Sequence, residues 1–415
     1  MRNWLTLNKT SLFLLTVIVF VIIFLQATIP LWHDHLIVDI WFYFERAKHF
    51  FTYQTLSNLI GNEYLPGALS YFFIASPALL IEKNLEVYTQ AFFLLGFIFL
   101  LAHLFVYKKI SGYPAILIFL LILLFTGPIL LFRFELAVSL LVLLSLYFFK
   151  EKKISLSSLF LGMATTVKVY PILILPYYLI IFFRKKQYRK LLSSLGYFFL
   201  GLGIVVGSYF LIGGSIKELS ESFRFHSLKP LGLESPITSI ILPFYKIYHR
   251  RLPDIFGAYG VWGIDIDFLP VSLNFFNFLP LVIVSLFYLC IYYSKTLSKK
   301  LRIEIVFLIF LIFLFFSKNM NPQYLFWAFS LVPILNVKEK KKEKSNLFLI
   351  LIIVLIIALL TQYVYPILYT DLINNFRENI EIFTPVAYLL LLRNFLFLVL
   401  LIISCREFLL KRDLK

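Results

Sequence analysis

Long apolar runs alternate with short polar breaks along nearly the whole chain. A helix needs about 20 apolar residues to cross the hydrocarbon of a bilayer. Twelve candidate runs are read at 11–29, 86–106, 114–131, 135–149, 155–168, 171–183, 191–212, 269–293, 303–316, 322–336, 346–364 and 386–404. Several are short. Those meeting around Arg133 and around Lys168 are separated by only a few polar residues, so tight hairpins are expected there. A thirteenth run, 66–81, opens with Pro66-Gly67 and is broken by Pro77. An internal proline removes a helix hydrogen bond and clashes with the preceding turn, so this run is expected to lie at the interface rather than to span. The pattern predicts an all-α polytopic membrane protein with about twelve transmembrane helices in one domain over 1–415. Two long external loops are expected, at 30–85 and 213–268, the first holding interfacial helices, with a charged linker at 337–345.

Composition narrows the class. Of 415 residues, 61% are hydrophobic and 15% charged, against about 25% charged in soluble domains. A soluble enzyme, a disordered chain and a collagen-like fibre are excluded. The net charge of +17 would suggest nucleic acid in a soluble protein. Here it reads first as the cytoplasmic excess of Lys and Arg. With the N-terminus cytoplasmic, 25 of the 39 Lys and Arg fall in cytoplasmic loops. Counting 66–81 as a span would move most basic clusters outside. Both termini are therefore expected in the cytoplasm and the two long loops outside. The first run is long and lacks an obvious small-residue cleavage site, so it is expected to be a retained anchor. Cys290 and Cys405 are expected to be packed free thiols, outside any disulfide framework.

Chemistry is sought among the polar residues. Soluble-enzyme signatures such as a Walker A loop or HExxH are absent. Gly201, Gly203 and Gly207 lie inside a span and predict close helix packing. His33-Asp34-His35 resembles a metal triplet, but adjacent side chains converge poorly on one ion; an interfacial polar cluster is expected, with no metal ligand set. Asp39, Tyr43 and Ala47 stand at i, i+4 and i+8, one helix face. A partly desolvated carboxylate there suits a general base. Glu63-Tyr64-Leu65-Pro66-Gly67 marks a rigid turn. Arg133-Phe134-Glu135 and Lys168-Val169-Tyr170-Pro171 occupy short turns on the same side. Lys318 and Gln323 lie in another, Ser317–Tyr324. His226, Lys229, Glu234 and Ser235 sit in the second long loop, and Arg393 falls inside the last apolar run, where an ionisable side chain marks either a function or a structural pairing. One carboxylate and several cations at one membrane face suit a lipid-linked phosphate. The residues alone fit a transporter of anionic solutes equally well.

At these residues the chain resembles a known family. Asp39-x3-Tyr43-x3-Ala47 followed by Tyr64-Leu65-Pro66-Gly67 looks like the first external loop of GT-C glycosyltransferases. Gly162–Pro171, Leu175-Pro176 and the basic run after it are similar to glycosyltransferase family 87, which includes polyprenyl-phosphate-mannose-dependent mannosyltransferases. Phe225-His226-x2-Lys229-x4-Glu234-Ser235 and Asn321-Pro322-Gln323-Tyr324-Leu325-x-Trp327 also look like that family. The resemblance runs from Asp39 to Trp327. It implies a GT-C-type bundle and an inverting hexosyltransferase, mannose being the first candidate sugar. The donor would be a polyprenyl-phosphate sugar and the acceptor a glycan or glycolipid on the extracytoplasmic face. Asp39 would be the base. Lys168 and His226 would contact the donor phosphate, with Tyr170, Lys229 and Gln323 in the matching motifs. Charge and position add Arg133, Lys318 and Arg393, and Tyr43, Glu135 and Glu234 complete the polar candidates. The chain departs from the family at Leu65, where Pro is frequent, at Lys229, where Arg is common, and at Glu135, often Asp. No cofactor and no nucleic-acid partner are expected. Two alternatives stay open: a polysaccharide polymerase or ligase using a diphosphate-linked donor, and a flippase or transporter of lipid-linked sugars.

Overall fold

A computed structural model describes residues 9–53, 64–69, 84–249, 252–266, 272–294, 301–335, 343–377 and 384–410. The chain is overwhelmingly helical. Among the described residues, seven helices are long and apolar enough to cross a membrane: Lys9–Thr28, Leu85–Ser111, Tyr113–Phe132, Tyr188–Leu211, Leu273–Tyr293, Leu347–Ile367 and Pro385–Phe408. They coincide with seven of the expected runs. Four others, at 135–149, 155–168, 171–183 and 303–316, form shorter helices. The fifth, 322–336, is broken into the turns Pro322–Tyr324 and Val332–Ile334 and the short helix Leu325–Phe329. Fourteen residues of helix, as in Ile303–Phe316, rise only about 21 Å, short of the roughly 30 Å of bilayer hydrocarbon. Of the expected 66–81 interfacial helix, a helical turn begins at Pro66; 70–83 lies outside the described residues, as does most of the 337–345 linker.

Contacts divide the chain into two compact units. One comprises Met1–Phe223, Ser298–Ile303 and Ser330–Ile334, the other Arg224–Leu297, Glu304–Phe329 and Leu335–Lys415. The first unit runs α1 (Lys9–Thr28), α2 (Pro30–Tyr53), α3 (Leu85–Ser111), α4 (Tyr113–Thr126), α5 (Glu135–Lys150), α6 (Ile154–Val167), α7 (Leu175–Arg184) and α8 (Tyr188–Leu211). Pro30 opens α2, where its fixed φ fits the first helical turn. Along α2, Leu36, Ile40, Tyr43, Phe44 and Ala47 are buried, a stripe at helical spacing. The start of α3 is capped by Asn84, whose side chain accepts from the N–H groups of Glu86 and Val87 at 2.7 and 3.1 Å. Glu86 in the first turn and Lys108 and Lys109 in the last complement the helix dipole. Gly112, at φ +81°, ends the helix in a conformation costly for other residues.

The interior of the first unit is joined by polar contacts between helices. His103 on α3 bonds the Phe99 carbonyl at 2.7 Å and the Ser139 hydroxyl of α5 at 2.8 Å. Tyr107 donates to the Ser330 carbonyl at 2.5 Å. Ser145 of α5 contacts Tyr178 of α7 at 3.1 Å, and Ser158 of α6 contacts Ser194 of α8 at 2.8 Å. Hydroxyls satisfied across helices suit a hydrocarbon setting, which offers no water to replace them. The glycine expectation is corrected in detail. A Cβ on Gly201 would overlap the Leu159 carbonyl, and one on Gly162 would overlap the Phe198 carbonyl. Gly203 and Gly207 face open space. The α6–α8 contact is therefore a Gly162–Gly201 pair.

The second unit follows α9 (Ile216–Leu228), which bridges the division, with β1 (Leu231–Gly232), α10 (Pro236–His249), β2 (Ile255–Ala258) and β3 (Val261–Ile264). It continues through α11 (Leu273–Tyr293), α12 (Ile303–Phe316), α13 (Glu343–Gln362), α14 (Tyr369–Arg377) and α15 (Pro385–Cys405). The strands form an antiparallel sheet ordered β1-β3-β2, which the sequence pattern did not reveal. Tyr259 and Gly260, both at positive φ, make the two-residue turn that matches strand twist. Leu231, Leu233, Ile237, Ile264, Leu372, Phe376 and Leu390 share one apolar core. Nearly every residue of α12 is buried, as expected for a helix apolar on all sides. Cys290 is exposed on α11, not packed; both cysteines are free.

Replacing Gly201 with Val drives a side chain into the α6 backbone and is expected to cost at least about 1–3 kcal/mol. Gly203→Ala should be tolerated. Thermal unfolding in detergent checks both; equal melting temperatures for the two variants would refute the asymmetric packing.

Candidate functional site

In the first unit the structure gathers six of the expected residues. Asp39 projects from α2 and forms an ion pair with Arg133 through Oδ2 and a guanidinium nitrogen. The Arg133 side chain is buried, whereas Asp39 retains 29% exposure. Arg133 sits at the extended residue that ends the turn Gly127–Phe132. Two residues later Glu135 begins α5 and is buried. Its Oε1 accepts from the Lys168 ammonium, while Oε2, also buried, has no hydrogen-bond partner among the described residues. Lys168 terminates α6 in an extended conformation, which swings its side chain off the helix.

Aromatic rings fill the space around these charges. The Lys168 ammonium lies 4.9 Å from the centre of the Phe134 ring, and Tyr43 and Tyr64 pack edge-on to the same ring at 6.1 and 6.0 Å. Tyr43 stacks on Phe92 at 5.4 Å. Burial pushes the Tyr43 phenol well above its ordinary value of 10, with Tyr64 and the Glu135 charge adding to it; it is a neutral donor at physiological pH. Burial also lowers the Lys168 ammonium from its ordinary 10.5, and Arg133 adds to that, while Glu135 works the other way. The Glu135 charge reaches Tyr170 as well.

Two further residues complete this group. Arg46, buried on α2, donates to the Phe42 carbonyl at 3.0 Å and covers the Tyr64 ring at 4.6 Å. It stands at i+7 from Asp39 and i+3 from Tyr43, so counting the i+3 and i+7 neighbours on the same face would have found it. Gly67 packs against the end of α6: a Cβ there would lie 2.5 Å from Thr166 Oγ1 and 2.7 Å from the Val167 nitrogen. The Tyr64–Gly67 motif is thereby seated on the residues that precede Lys168.

The second unit holds the other six candidates in a different arrangement. The Lys318 ammonium donates to the carbonyls of Ser227 and Lys229 at 2.7 and 2.6 Å. The Lys318 carbonyl accepts from the Gly232 N–H at 2.8 Å, and Ser235 Oγ donates to the Ser317 carbonyl at 3.2 Å. Lys229 and Lys318 are both buried. Burial, then the nearby Lys229 charge, pulls Lys318 down to about 8. Lys229 also caps the Phe225 ring at 5.3 Å. His226 is exposed near the end of α9, its ring edge-on to Phe225, and Gln323 is buried in the Pro322–Tyr324 turn.

Arg393 is an internal clamp. It is fully buried and donates to Glu234 Oε2 at 3.2 Å, to the Glu234 carbonyl at 2.5 Å and to Asn394 Oδ1 at 3.0 Å. Asn394 in turn donates to Ser239 Oγ at 2.6 Å. Burial raises the Glu234 carboxyl, and Arg393 offsets part of that rise. The guanidinium that looked available for phosphate in the sequence is occupied by a carboxylate. Asn394, adjacent in sequence, was the missed partner. Among the described residues no three His, Cys, Asp or Glu side chains gather as a metal site, and the exposed His33 contacts Asp34 at 3.3 Å.

Breaking a buried ion pair on one side typically costs about 3–5 kcal/mol. Glu135→Gln should therefore destabilise strongly, and Glu135→Gln with Lys168→Met should recover much of the loss; strict additivity in unfolding measurements would contradict the pairing. Lys318 makes a pH prediction. Its folded value, about 8, lies below the ordinary 10.5, so the unfolded chain binds the extra proton between the two. Stability from this residue should rise as pH climbs from 8 to 10.5 and stay level below 8. The stability difference between wild type and Lys318→Met should trace that slope; a flat difference would refute it. Comparisons with protein-family models, with curated proteins and with solved structures find no match for this chain.

Proposed function

We propose that the protein is an integral-membrane, GT-C-type inverting glycosyltransferase. It moves a hexose, mannose first among the candidates, from a polyprenyl-phosphate donor to a lipid- or glycan-linked acceptor. The reading places both termini in the cytoplasm and the chemistry on the extracytoplasmic face. The observation that carries it is the cluster in the first unit, where one half-accessible carboxylate, Asp39, stands with two basic side chains and neutral phenols on a membrane-embedded scaffold.

The reaction needs three things from such a cluster. The Asp39 carboxylate, oriented by Arg133 through Oδ2, accepts the acceptor hydroxyl proton at Oδ1. The acceptor oxygen then bonds to the anomeric carbon as the bond from that carbon to the phosphate oxygen breaks, which inverts the centre. The polyprenyl phosphate leaves with the electron pair, and Lys168 and Arg133 stabilise its charge. Tyr43 and Tyr170 supply hydroxyl donors, and the aromatic walls keep water from competing for the sugar. Arg393 is given no role in this step, because its side chain, unlike those of Arg133 and Lys168, is wholly buried against Glu234.

The decisive assay uses the full-length protein in membranes with polyprenyl-phosphate hexose. A general base contributes about 10²- to 10⁴-fold, so Asp39→Asn should lose that much in kcat with little change in donor KM. Lys168→Gln should raise donor KM as well. Wild-type turnover by Asp39→Asn removes Asp39 from the mechanism. Transfer only from a polyprenyl-diphosphate sugar, or flux across the bilayer without product, would replace the proposal with a polymerase or a transporter.

A further inference from the structure

Beyond its first turn, where Ile237 is buried on the side of Phe244, the helix α10 (Pro236–His249) divides into two faces. Ile237, Thr238, Leu242 and Tyr245 are buried, and Ile237 and Leu242 belong to the apolar core shared with α14 and α15. The opposite face is apolar too. Ile240 is 48% exposed, Phe244 60%, Ile247 73% and Tyr248 81%. These positions stand at i, i+4, i+7 and i+8, a single stripe. Large apolar side chains at such exposure, contiguous on one helix, need an apolar neighbour.

The length and setting of α10 identify that neighbour. Its 14 residues rise about 21 Å, too short to cross a bilayer. In the chain it lies between Tyr188–Leu211 and Leu273–Tyr293, both long and apolar enough to span, so the segment both leaves and returns to a membrane surface. The helix carries no Asp or Glu. Lys246 and His249 sit in its last turns, and Arg250 and Arg251 follow in the sequence. A short helix with an apolar stripe and basic residues at one end is built to lie in the plane of the interface, stripe toward the acyl chains and cations among the headgroups.

We propose that α10 is a monotopic anchor, its Ile240–Phe244–Ile247–Tyr248 face inserted at the headgroup–acyl boundary and its basic end drawn to anionic phospholipid. Its residues are other than those of the cluster around Asp39 and Lys168, and the proposal does not depend on the reaction proposed above. Because Ile237 and Leu242 tie α10 to the core with Leu372 and Leu390, it fixes the second unit's soluble segment at the level of the headgroups.

The test uses the full-length protein with Cys290→Ser and Cys405→Ser as background. A fluorophore is attached at Phe244→Cys or Ile247→Cys, and, as a control, at Asn374→Cys on an exposed polar position of α14. Nanodiscs of phosphatidylcholine, with and without phosphatidylglycerol, carry a lipid quencher high on the acyl chain. Labels at 244 and 247 should lose fluorescence several-fold to the lipid quencher and be shielded from aqueous iodide; the label at 374 should behave oppositely. Phosphatidylglycerol should deepen the lipid quenching, and Lys246→Gln with His249→Gln should reverse that gain. Iodide quenching at 244 and 247 equal to that at 374 would show a solvated face and overturn the proposal. Shielding from both quenchers would show a protein partner or a second copy, and would overturn it equally. No response to phosphatidylglycerol would overturn the assignment of anionic lipid.

Discussion

The most demanding interaction in the first unit is the pairing of Glu135 with Lys168. Two charges leave water here, and each alone would cost several kcal/mol. The local backbone is arranged so that neither is alone. Glu135 starts a helix, where a carboxylate is favoured by the dipole, and Lys168 ends one in an extended residue that frees its side chain. The helices between them, α5 and α6, form a tight hairpin, so the first residue of one and the last of the other meet at the same end. The short connections expected around Arg133 and Lys168 carry the two partners of this ion pair. Gly67 seats a second segment on the same α6 terminus, and a side chain at that position would push it away.

The second unit solves the same problem with different groups. Arg393 lies inside a long apolar helix, where an unpaired guanidinium is expensive. Glu234, its carbonyl, Asn394 and Ser239 satisfy it. Removing Glu234 alone would strand a buried cation, and removing Arg393 alone would strand a buried carboxyl. Lys318 is held differently: two backbone carbonyls accept its hydrogen bonds. Burial, and then the neighbouring Lys229 charge, lowers Lys318 from its ordinary 10.5 to about 8.

Much of this architecture is legible in the sequence, and the failures have physical causes. Apolar runs of membrane length identified the class because few soluble segments sustain them. Ile303–Phe316 is as apolar as those runs but forms a helix of only 14 residues. The small sheet escaped because β1 has two residues, too few for any alternation to show. The helical face of Asp39, Tyr43 and Ala47 followed from period alone. What period cannot say is which cation meets which carboxylate, because the partners of Asp39 and Glu234 are far away in the chain. Arg133 and Arg393 looked alike as lone cations near apolar runs. One is paired with the half-exposed Asp39, the other locked in a fully buried clamp, and that difference is tertiary.

The tripeptide Arg133-Phe134-Glu135 ties these threads together. Its first residue is extended and its third opens a helix, so the two charged side chains diverge from one turn. Arg133 reaches Asp39, Glu135 reaches Lys168, and the Phe134 ring stands between the lysine and the two tyrosines. The group assigned to take the proton and the group assigned to receive the phosphate are thus held by neighbours in the same backbone segment. A shift of that turn moves both at once, keeping their separation while changing their position. For a displacement in which the acceptor attacks one side of the anomeric carbon and the phosphate departs from the other, a fixed separation is the geometric requirement that matters most. A single rigid turn meets it with less conformational freedom than two independent loops would retain, which gives a physical reason for so much buried charge to be concentrated at one short connection.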